Sequence, residues 1–229
     1  MTAWRTAVLV ARKDLLVEWR SRVALNQVLP FAAIVMVMFA FALDRRGDAI
    51  LEGVAPGLVW LATLFSSLLL VQRTFAVEAE DGALDALRAA SVDAAALFWG
   101  KTAALAAQLA VLEALLLVIA ALLYGTEVRP SGVVLLVVTW VAATIGLACV
   151  GTLYGGLAAG AQGRETLLPL LLLPAVAPVL IGATRAVEAA LGTGGTVVAD
   201  GWPWVGVVSV FAVAFGAGGT LAFGPLIDE

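Results

Sequence analysis

Six long apolar runs constrain this chain more than any other feature of its sequence. A helix needs about 20 predominantly apolar residues to cross the roughly 30 Å hydrocarbon core of a bilayer. The runs cover Leu25–Leu43, Val54–Val71, Thr102–Tyr124, Val133–Ala158, Leu167–Thr184 and Val205–Phe223. They are continuously apolar and lack the period of two that marks a membrane barrel, so the sequence predicts six transmembrane helices.

The composition agrees with a membrane protein. Hydrophobic residues make up 62% of the 229 residues and charged residues only 13%, whereas soluble domains are about 45–50% apolar and about 25% charged. We therefore expect an all-α integral membrane protein that forms a single polytopic membrane domain over residues 1–229. The longest connection between the runs is residues 72–101, so no separate soluble domain is predicted.

Histidine is absent from the sequence, and Cys149 is its single cysteine. Histidine is the commonest metal ligand and general base, and one cysteine forms neither an intrachain disulfide nor a thiolate cluster. We therefore expect no metal site and no catalytic residue in this chain. A sequence pI near 4.9 also argues against a nucleic-acid partner.

Residues 1–24 precede the first run and carry a helical pattern of apolar and basic side chains. One arc of this helix holds Trp4, Val8, Ala11, Leu15 and Trp19, and an adjoining arc holds Arg5, Arg12, Lys13 and Arg20. Such an amphipathic helix can lie in the headgroup plane, with its apolar arc in membrane lipid and its cations near anionic headgroups. The alternative is a helix that packs against a protein neighbour.

The distribution of basic residues predicts the orientation of the chain. Lys and Arg in short loops concentrate on the cytoplasmic side of a membrane protein. With six spans both termini share one side, and nine of the 13 Lys and Arg residues lie on that side, in the N-terminal segment, in residues 72–101 and at Arg164. The sequence therefore places both termini and the 72–101 connection in the cytoplasm.

The connection between the second and third runs is unusually acidic. Within it the stretch "EAEDGALDALRAA" is typical of a short helix, on which Leu84, Leu87 and Arg88 share one face. A helix this short is marginal in water, so we expect it to dock onto another surface. The alternative is a solvated loop that joins two spans.

This stretch resembles the coupling helix of ABC-2-type transporter permeases, which has the form Glu-x-x-x-Gly-Thr-Leu-Glu. Glu78, Gly82 and Leu84 match that pattern, Ala83 replaces its Thr, and Asp85 replaces its final Glu. In that superfamily the helix sits in a groove of the ATP-binding subunit. The resemblance therefore implies that the residues coupling this chain to an ATPase are Glu78, Glu80, Asp81, Gly82, Leu84, Asp85, Leu87 and Arg88.

Two further stretches are similar to the CcmB family, the haem exporter protein B of cytochrome c maturation. They are "VAPGLVWLATLFSSLLLVQRTF", joined to "EDGALDAL", and the proline-rich "LLPLLLLPAVAPVLIGAT". The length, the six runs and the basic N-terminal helix extend the resemblance to essentially the whole chain. One departure is the stretch "RAASVDAAALFWGK", in which relatives often have prolines and this sequence has none.

The resemblance implies a permease subunit of the bacterial cytoplasmic (inner) membrane rather than an enzyme. It implies that ATP and Mg²⁺ bind a separate CcmA-like ATPase, and the absence of a G-x-x-x-x-G-K-[ST] motif from this sequence agrees with that expectation. Further implied partners are a second permease copy, CcmC-like and CcmD-like membrane subunits and a CcmE-like haem chaperone. ATP hydrolysis would drive haem export or release of the haem-loaded chaperone, with haem handled by the complex and no cofactor resident in this chain.

Two alternatives stay open at the level of sequence. One is an ABC-2-type permease that moves a lipid, a polysaccharide or a drug. The other is an ion-coupled secondary transporter, in which Glu113 would be the proton or ion site.

Glu113 is an acid near the middle of the third run, with Gln108 five residues before it. An acid at the bilayer centre costs about 2.5–3.5 kcal/mol on insertion scales, which several leucines of the same run offset. Glu113 is either a functional group, which faces a polar cavity in the bundle or biases conformational states, or a structural one. In the structural case it is a protonated carboxyl bonded to a neighbouring helix, or an acid close to lipid that is merely tolerated.

The fifth run contains Pro169, Pro174 and Pro178. Each proline removes a backbone donor and crowds the carbonyl four residues earlier, so a kinked or interrupted helix is expected. Such a helix can act as a hinge during transport, or it can be a static kink that shapes packing.

Small and hydroxylated residues predict how the helices pack. The fourth run contains Gly151–Gly155 and Gly156–Gly160, two small-xxx-small patterns that favour close helix approach within the bundle or across a dimer. "GAGGT" at Gly216–Thr220 is interpreted as helix packing in the same way. Ser66 and Ser67 are expected to make hydrogen bonds between helices.

Overall fold

The computed structural model describes residues 3–44, 48–80, 93–126, 128–159 and 164–228, and these residues contain seven α-helices. A π-helical turn at Ala24–Val28 precedes the second helix, and short 3-10 turns precede the fifth and the seventh. The helices are α1 Ala3–Ser21, α2 Leu29–Asp44, α3 Asp48–Glu80, α4 Ala94–Tyr124, α5 Val133–Ala159, α6 Arg164–Leu191 and α7 Trp202–Asp228.

Six of these helices, α2 to α7, are long and apolar enough to cross a membrane. The prediction of an all-α protein with six spans is therefore confirmed. Several helices are longer than the apolar runs that predicted them: α3 has 33 residues and α4 has 31. At about 1.5 Å per residue these helices measure about 50 Å and about 46 Å, which exceeds a hydrocarbon core of roughly 30 Å.

The start of α4 shows why helix boundaries differ from the apolar runs. The side chain of Asp93 accepts hydrogen bonds from the backbone N–H groups of Ala95 and Ala96, at 2.9 Å and 3.4 Å. This cap satisfies backbone donors at the helix terminus, so the helix begins there rather than at the first strongly apolar residue. At its other end, Gly125 takes a left-handed conformation with φ 64° and ends the helix.

The helix α5 lies at the centre of the bundle and contacts α3, α4, α6 and α7. Its inward residues, such as Ala143 and Val150, are completely buried. The helix α2 lies at the edge and packs through one stripe, Ala32 and Met36, which continues Val28 of the preceding π-helical turn. Its position is fixed by the hydroxyl of Tyr124, which donates a hydrogen bond to the Met36 carbonyl at 2.8 Å.

Glycines of α5 allow side chains of two neighbouring helices to approach its backbone. A Cβ atom on Gly155 would lie 2.5 Å from the ring of Phe75 on α3, and one on Gly156 would lie 2.6 Å from Phe223 on α7. The predicted packing within the bundle is thus confirmed for these two positions, whereas Gly160 lies outside the described residues.

The serines differ from expectation. Ser66 and Ser67 were expected to bond to other helices, but their hydroxyls donate to the carbonyls of Ala62 and Leu64 in their own helix, each at 2.8 Å. Short hydroxyl side chains in a helix reach the carbonyl three or four residues back before they reach a neighbour.

The three prolines lie within one helix. The helix α6 runs without interruption through Pro169, Pro174 and Pro178, and their role as a hinge stays a prediction.

The "GAGGT" segment provides a matched pair of glycines for testing this packing. A Cβ atom on Gly219 would collide with the ring of Phe98, which is fully buried and packs against Phe223 with ring centroids 5.5 Å apart. A Cβ atom on the adjacent Gly218 would meet nothing within 4 Å. We expect Gly219→Ala to lower stability by about 1–3 kcal/mol because the core is overpacked.

The adjacent substitution Gly218→Ala is the control, and it should leave stability unchanged or raise it, since alanine has the better helix propensity. Thermal unfolding of the detergent-solubilised protein, followed by tryptophan fluorescence, measures both variants. Equal midpoints for the two would contradict the packing described for α7 against α4.

Candidate functional site

The predicted coupling segment lies largely outside the described residues. Glu78 and Glu80 belong to the last turn of α3, and Asp81, Gly82, Leu84, Asp85, Leu87 and Arg88 fall in the range 81–92, which the structure does not describe. What the structure does describe is the two helices that flank this range. The described part of the site is therefore the end of α3 and the beginning of α4.

The helix α1 packs against the beginning of α4. Its bundle-facing stripe is Ala7, Val10, Asp14 and Glu18, spaced three or four residues apart, and these are buried or half-buried. Gly100 of α4 permits this approach, because a Cβ atom there would lie 2.7 Å from the Ala7 carbonyl oxygen and 2.7 Å from the Val10 Cβ.

The predicted apolar arc of α1 faces away from the bundle at its two ends. Trp4 and Trp19 are 78% and 74% exposed, and the basic residues Arg5, Arg12, Lys13 and Arg20 are exposed as well. The helix thus combines both sequence interpretations: one face packs on protein, and the other presents tryptophans and cations that suit a membrane interface.

A buried ion pair joins α1 to α4. The side chain of Lys101 is only 1% exposed, and its Nζ lies 3.4 Å from Asp14 Oδ2. The same ammonium lies 4.8 Å from the centroid of the Phe75 ring, a cation–π contact with α3. Three helices therefore meet at this one lysine.

A second ion pair joins α1 to the end of α3. Arg73 Nε lies 3.8 Å from Glu18 Oε2. The other carboxylate oxygen of Glu18 accepts a hydrogen bond from the backbone N–H of Ala24 at 2.6 Å, just after Arg22, whose φ of 50° lies in the left-handed region. Glu18 thereby holds the turn from α1 into α2 as well as the end of α3.

We call Asp14, Glu18, Arg73 and Lys101 the α1 clasp. Its two acids are spaced i, i+4 on one face of α1, and each pairs with a base on one of the two helices that flank residues 81–92. Reasoning from the sequence missed the clasp because it followed the basic and apolar arcs of α1 and not the acids. The available signal was the shared helical face of Ala7, Asp14 and Glu18.

Glu113 lies inside the bundle and is 2% exposed. The hydroxyl of Thr144 on α5 donates a hydrogen bond to its Oε2. Glu113 is one of the residues that line a partly enclosed cavity of about 240 Å³ between α3, α4, α5 and α6, together with Thr63 and Trp140. Gln108 is half-buried and is not among the residues that line this cavity.

The cavity and the α1 clasp lie toward opposite ends of the bundle. The clasp is near the start of α4, at Lys101, whereas the cavity extends to Ala120 and to Thr126, beyond the end of the same helix. About 18 Å of helix separates Lys101 from Glu113 at 1.5 Å per residue. The two features therefore occupy distinct parts of one continuous element.

This architecture, with long apolar helices around a buried core and a cationic helix packed across one end, defines a polytopic α-helical membrane protein. The sequence model of the CcmB protein family matches residues 5–223. The chain belongs to the CcmB protein family.

Individual relatives agree with this assignment. Heme exporter protein B of Haemophilus influenzae is 30% identical over 210 residues, which cover 90% of this chain and 94% of that protein. Heme exporter protein B of Rhodobacter capsulatus is 34% identical over 171 residues, covering 74% and 76%. The protein of the same name from Pseudomonas aeruginosa is 32% identical over 187 residues, covering 81% of each chain.

The α1 clasp can be tested because two lysines pair with the same carboxylate. Lys13 lies 3.0 Å from Asp14 Oδ1 but its side chain is 49% exposed, whereas Lys101 is buried. Removing one partner of a buried pair typically costs about 3–5 kcal/mol, while an exposed pair contributes about 0–1 kcal/mol. We expect Lys101→Met to lower the thermal midpoint of the solubilised protein clearly and Lys13→Met to leave it nearly unchanged.

The double variant Asp14→Leu/Lys101→Met supplies the control for this prediction. It removes both buried charges, and apolar replacement of a whole buried pair is often tolerated, so part of the lost stability should return. If Lys101→Met and Lys13→Met have the same thermal midpoint, the buried pair of Asp14 and Lys101 contributes no more to stability than the exposed pair of Asp14 and Lys13.

Proposed function

We propose that this chain is the permease subunit of an ABC transporter complex for cytochrome c biogenesis. It would couple ATP hydrolysis by a partner ATPase to haem export or to release of a haem-loaded chaperone. The observation that carries the proposal is membership in the CcmB protein family over residues 5–223. Relatives named heme exporter protein B, aligned over most of their length, support the same reading.

The lengths of α3 and α4 support a mechanical role for the segment between them. Both helices extend beyond a hydrocarbon core of roughly 30 Å. A segment held between the ends of two continuous helices is connected to the interior of the bundle through hydrogen-bonded backbone. A push on residues 81–92 would therefore be transmitted along α3 and α4 as displacement of whole helices rather than absorbed by a loop.

The α1 clasp would make α3 and α4 move together. Asp14 and Glu18 hold one base on each flanking helix, and Lys101 contacts the Phe75 ring of α3. Because the pairs share one short helix, α3 and α4 cannot separate at this end without breaking an ion pair or moving α1. Trp4 and Trp19, both exposed, would anchor α1 in the membrane interface. The helices α3 and α4 would then move relative to this anchored helix.

The remaining parts of the complex are those that the family resemblance implies. The sequence of this chain has no phosphate-binding loop of the G-x-x-x-x-G-K-[ST] form, so ATP and Mg²⁺ would bind a CcmA-like ATPase. A second permease copy, CcmC-like and CcmD-like subunits and a CcmE-like chaperone would complete the assembly. The complex would handle haem as cargo, in the bacterial inner membrane with both termini of this chain in the cytoplasm.

The coupling role of residues 81–92 predicts the effect of charge on their apolar face. Leu84→Arg and Leu87→Asp should leave membrane insertion and expression unchanged, because both positions lie outside the apolar runs. They should abolish stimulation of the partner ATPase, or reduce it at least about tenfold, because a charge buried in a docking groove is costly. Co-purification with the ATPase and ATP hydrolysis of the reconstituted complex are the measurements.

Leu84→Met is the matched control, since it keeps an apolar side chain of similar volume and should preserve coupling. Full assembly and activity in both charged variants would show that this segment is not the ATPase contact. The family assignment would survive that result, whereas the coupling mechanism would not.

The proposed orientation can be tested by thiol labelling, because Cys149 is the single cysteine of the chain and is buried. In a Cys149→Ala background, Val197→Cys and Ser21→Cys introduce thiols at exposed positions on opposite ends of the bundle. With both termini in the cytoplasm, a membrane-impermeant maleimide should label Val197→Cys in intact spheroplasts. It should label Ser21→Cys only after permeabilisation, and the reverse pattern would contradict the orientation.

A further inference from the structure

The ionisable side chains of α1 are sorted onto opposite faces of the helix. Both of its acids, Asp14 and Glu18, turn toward the bundle, where their side chains are 9% and 15% exposed. Its basic side chains are exposed on the outward side, and they are Arg5, Arg12, Lys13 and Arg20. Within Ala3–Ser21 the outward face therefore carries positive charge and no acid.

The α1 clasp produces this sorting. Asp14 pairs with Lys101 of α4, and Glu18 pairs with Arg73 of α3. Of the basic residues of α1 itself, Lys13 pairs with Asp14. None of the ion pairs between described residues includes the other three, which are Arg5, Arg12 and Arg20. The acids of α1 are thus largely neutralised by other helices, and three arginines keep their charge on the outward face.

The spacing of these arginines indicates an extended anionic surface. Arg12 follows Arg5 by seven residues, and Arg20 follows Arg12 by eight. At 1.5 Å per residue the three positions are about 10 Å and about 12 Å apart along the helix axis. Cations this far apart reach separate anionic groups, so the face suits a surface that carries several of them rather than one small ligand.

Apolar side chains lie between the arginines on the same face. Leu9, Leu16 and Trp19 are all exposed. Apolar side chains of this size enter the boundary between headgroups and acyl chains, while arginines on the same helix extend to the phosphates. An acidic soluble protein would match the charge of this face but not its leucines and tryptophans, so the combination favours lipid.

We infer that the outward face of α1 binds anionic phospholipid in preference to zwitterionic phospholipid, through Arg5, Arg12 and Arg20. Guanidinium groups hydrogen-bond the phosphate of either lipid, but the ammonium of a zwitterionic headgroup cancels the net attraction. The α1 clasp makes the preference possible because it keeps Asp14 and Glu18 away from the headgroups. The inference concerns this chain alone and does not rest on the proposed function.

The test measures which lipid is enriched beside α1. In a Cys149→Ala background, Leu9→Cys places one thiol on the outward face for a bimane fluorophore. The full-length chain is placed in nanodiscs of phosphatidylcholine that contain a small fraction of nitroxide-labelled phosphatidylglycerol or of nitroxide-labelled phosphatidylcholine, and the quenching of bimane by the two is compared. A basic residue near an anionic surface contributes a factor of about five, so we expect phosphatidylglycerol to be enriched at least about fivefold. High salt should reduce this enrichment, since it shortens the Debye length.

Two triple variants test the role of the arginines. Arg5→Gln/Arg12→Gln/Arg20→Gln should abolish the enrichment, and Arg5→Lys/Arg12→Lys/Arg20→Lys should retain it, because lysine preserves the charge. Both should keep the thermal midpoint of the parent in phosphatidylcholine discs, since the three side chains are exposed and take part in no ion pair between described residues.

A further variant places an acid on the outward face and leaves every arginine in position. Leu16→Glu lies four residues from both Arg12 and Arg20, where it would pair with them. It should lower the enrichment of phosphatidylglycerol, whereas Leu16→Gln, which removes the same apolar side chain without adding charge, should retain it. Equal enrichment in these two variants would contradict the claim that the absence of acids creates the preference.

A second labelling position shows whether the enrichment belongs to α1. Val197→Cys is exposed at the opposite end of the bundle, and there the two labelled lipids should quench equally. Equal quenching at Leu9→Cys, or an enrichment that survives the triple glutamine variant or appears equally at Val197→Cys, would overturn the inference. Absence of quenching by either lipid at Leu9→Cys would also overturn it and would assign the arginines to a protein partner.

Discussion

A bilayer offers no hydrogen-bond partners to the backbone, and the rest of this structure depends on that constraint. Each span must satisfy its own N–H and C=O groups, so the apolar runs become helices. Lipid is as apolar as leucine, so burial from water does not drive these helices together, and close packing must do so. Gly155 and Gly156 meet that need, since they let Phe75 and Phe223 reach the backbone of α5.

At the end of the bundle the helices are held together by a different interaction, the ion pairs of the α1 clasp. The ends of α3 and α4 that flank residues 81–92 carry charged residues, and both helices are longer than a hydrocarbon core of roughly 30 Å. Asp14 and Glu18 pair there with Lys101 and Arg73, and the burial of Lys101 excludes the water that would weaken the interaction. The helix that presents tryptophans to the interface thereby also holds the two helices that carry the proposed coupling segment.

Glu113 shows how a helix that inserts into the membrane can contain an acid whose transfer out of water is unfavourable. The leucines of α4 make insertion favourable overall, and the Thr144 hydroxyl donates a hydrogen bond to the acid. The cavity lies in the opposite half of α4 from the clasp, so one helix connects the charged end of the bundle to a polar group deep inside it. Displacement of α4 along its axis would alter both regions together.

The sequence by itself determined the six helices, the amphipathic character of α1 and the family, because hydrophobic period, length and motif spacing are local properties. It also placed Glu113 and Gln108 in one span. Only the tertiary structure decided that Glu113 meets Thr144, that Gln108 stays apart from the cavity, and that the acids of α1 bind Arg73 and Lys101. Those pairings join residues as many as 87 positions apart. Their geometry depends on how closely whole helices approach, which small residues such as Gly100 permit and which no local pattern specifies.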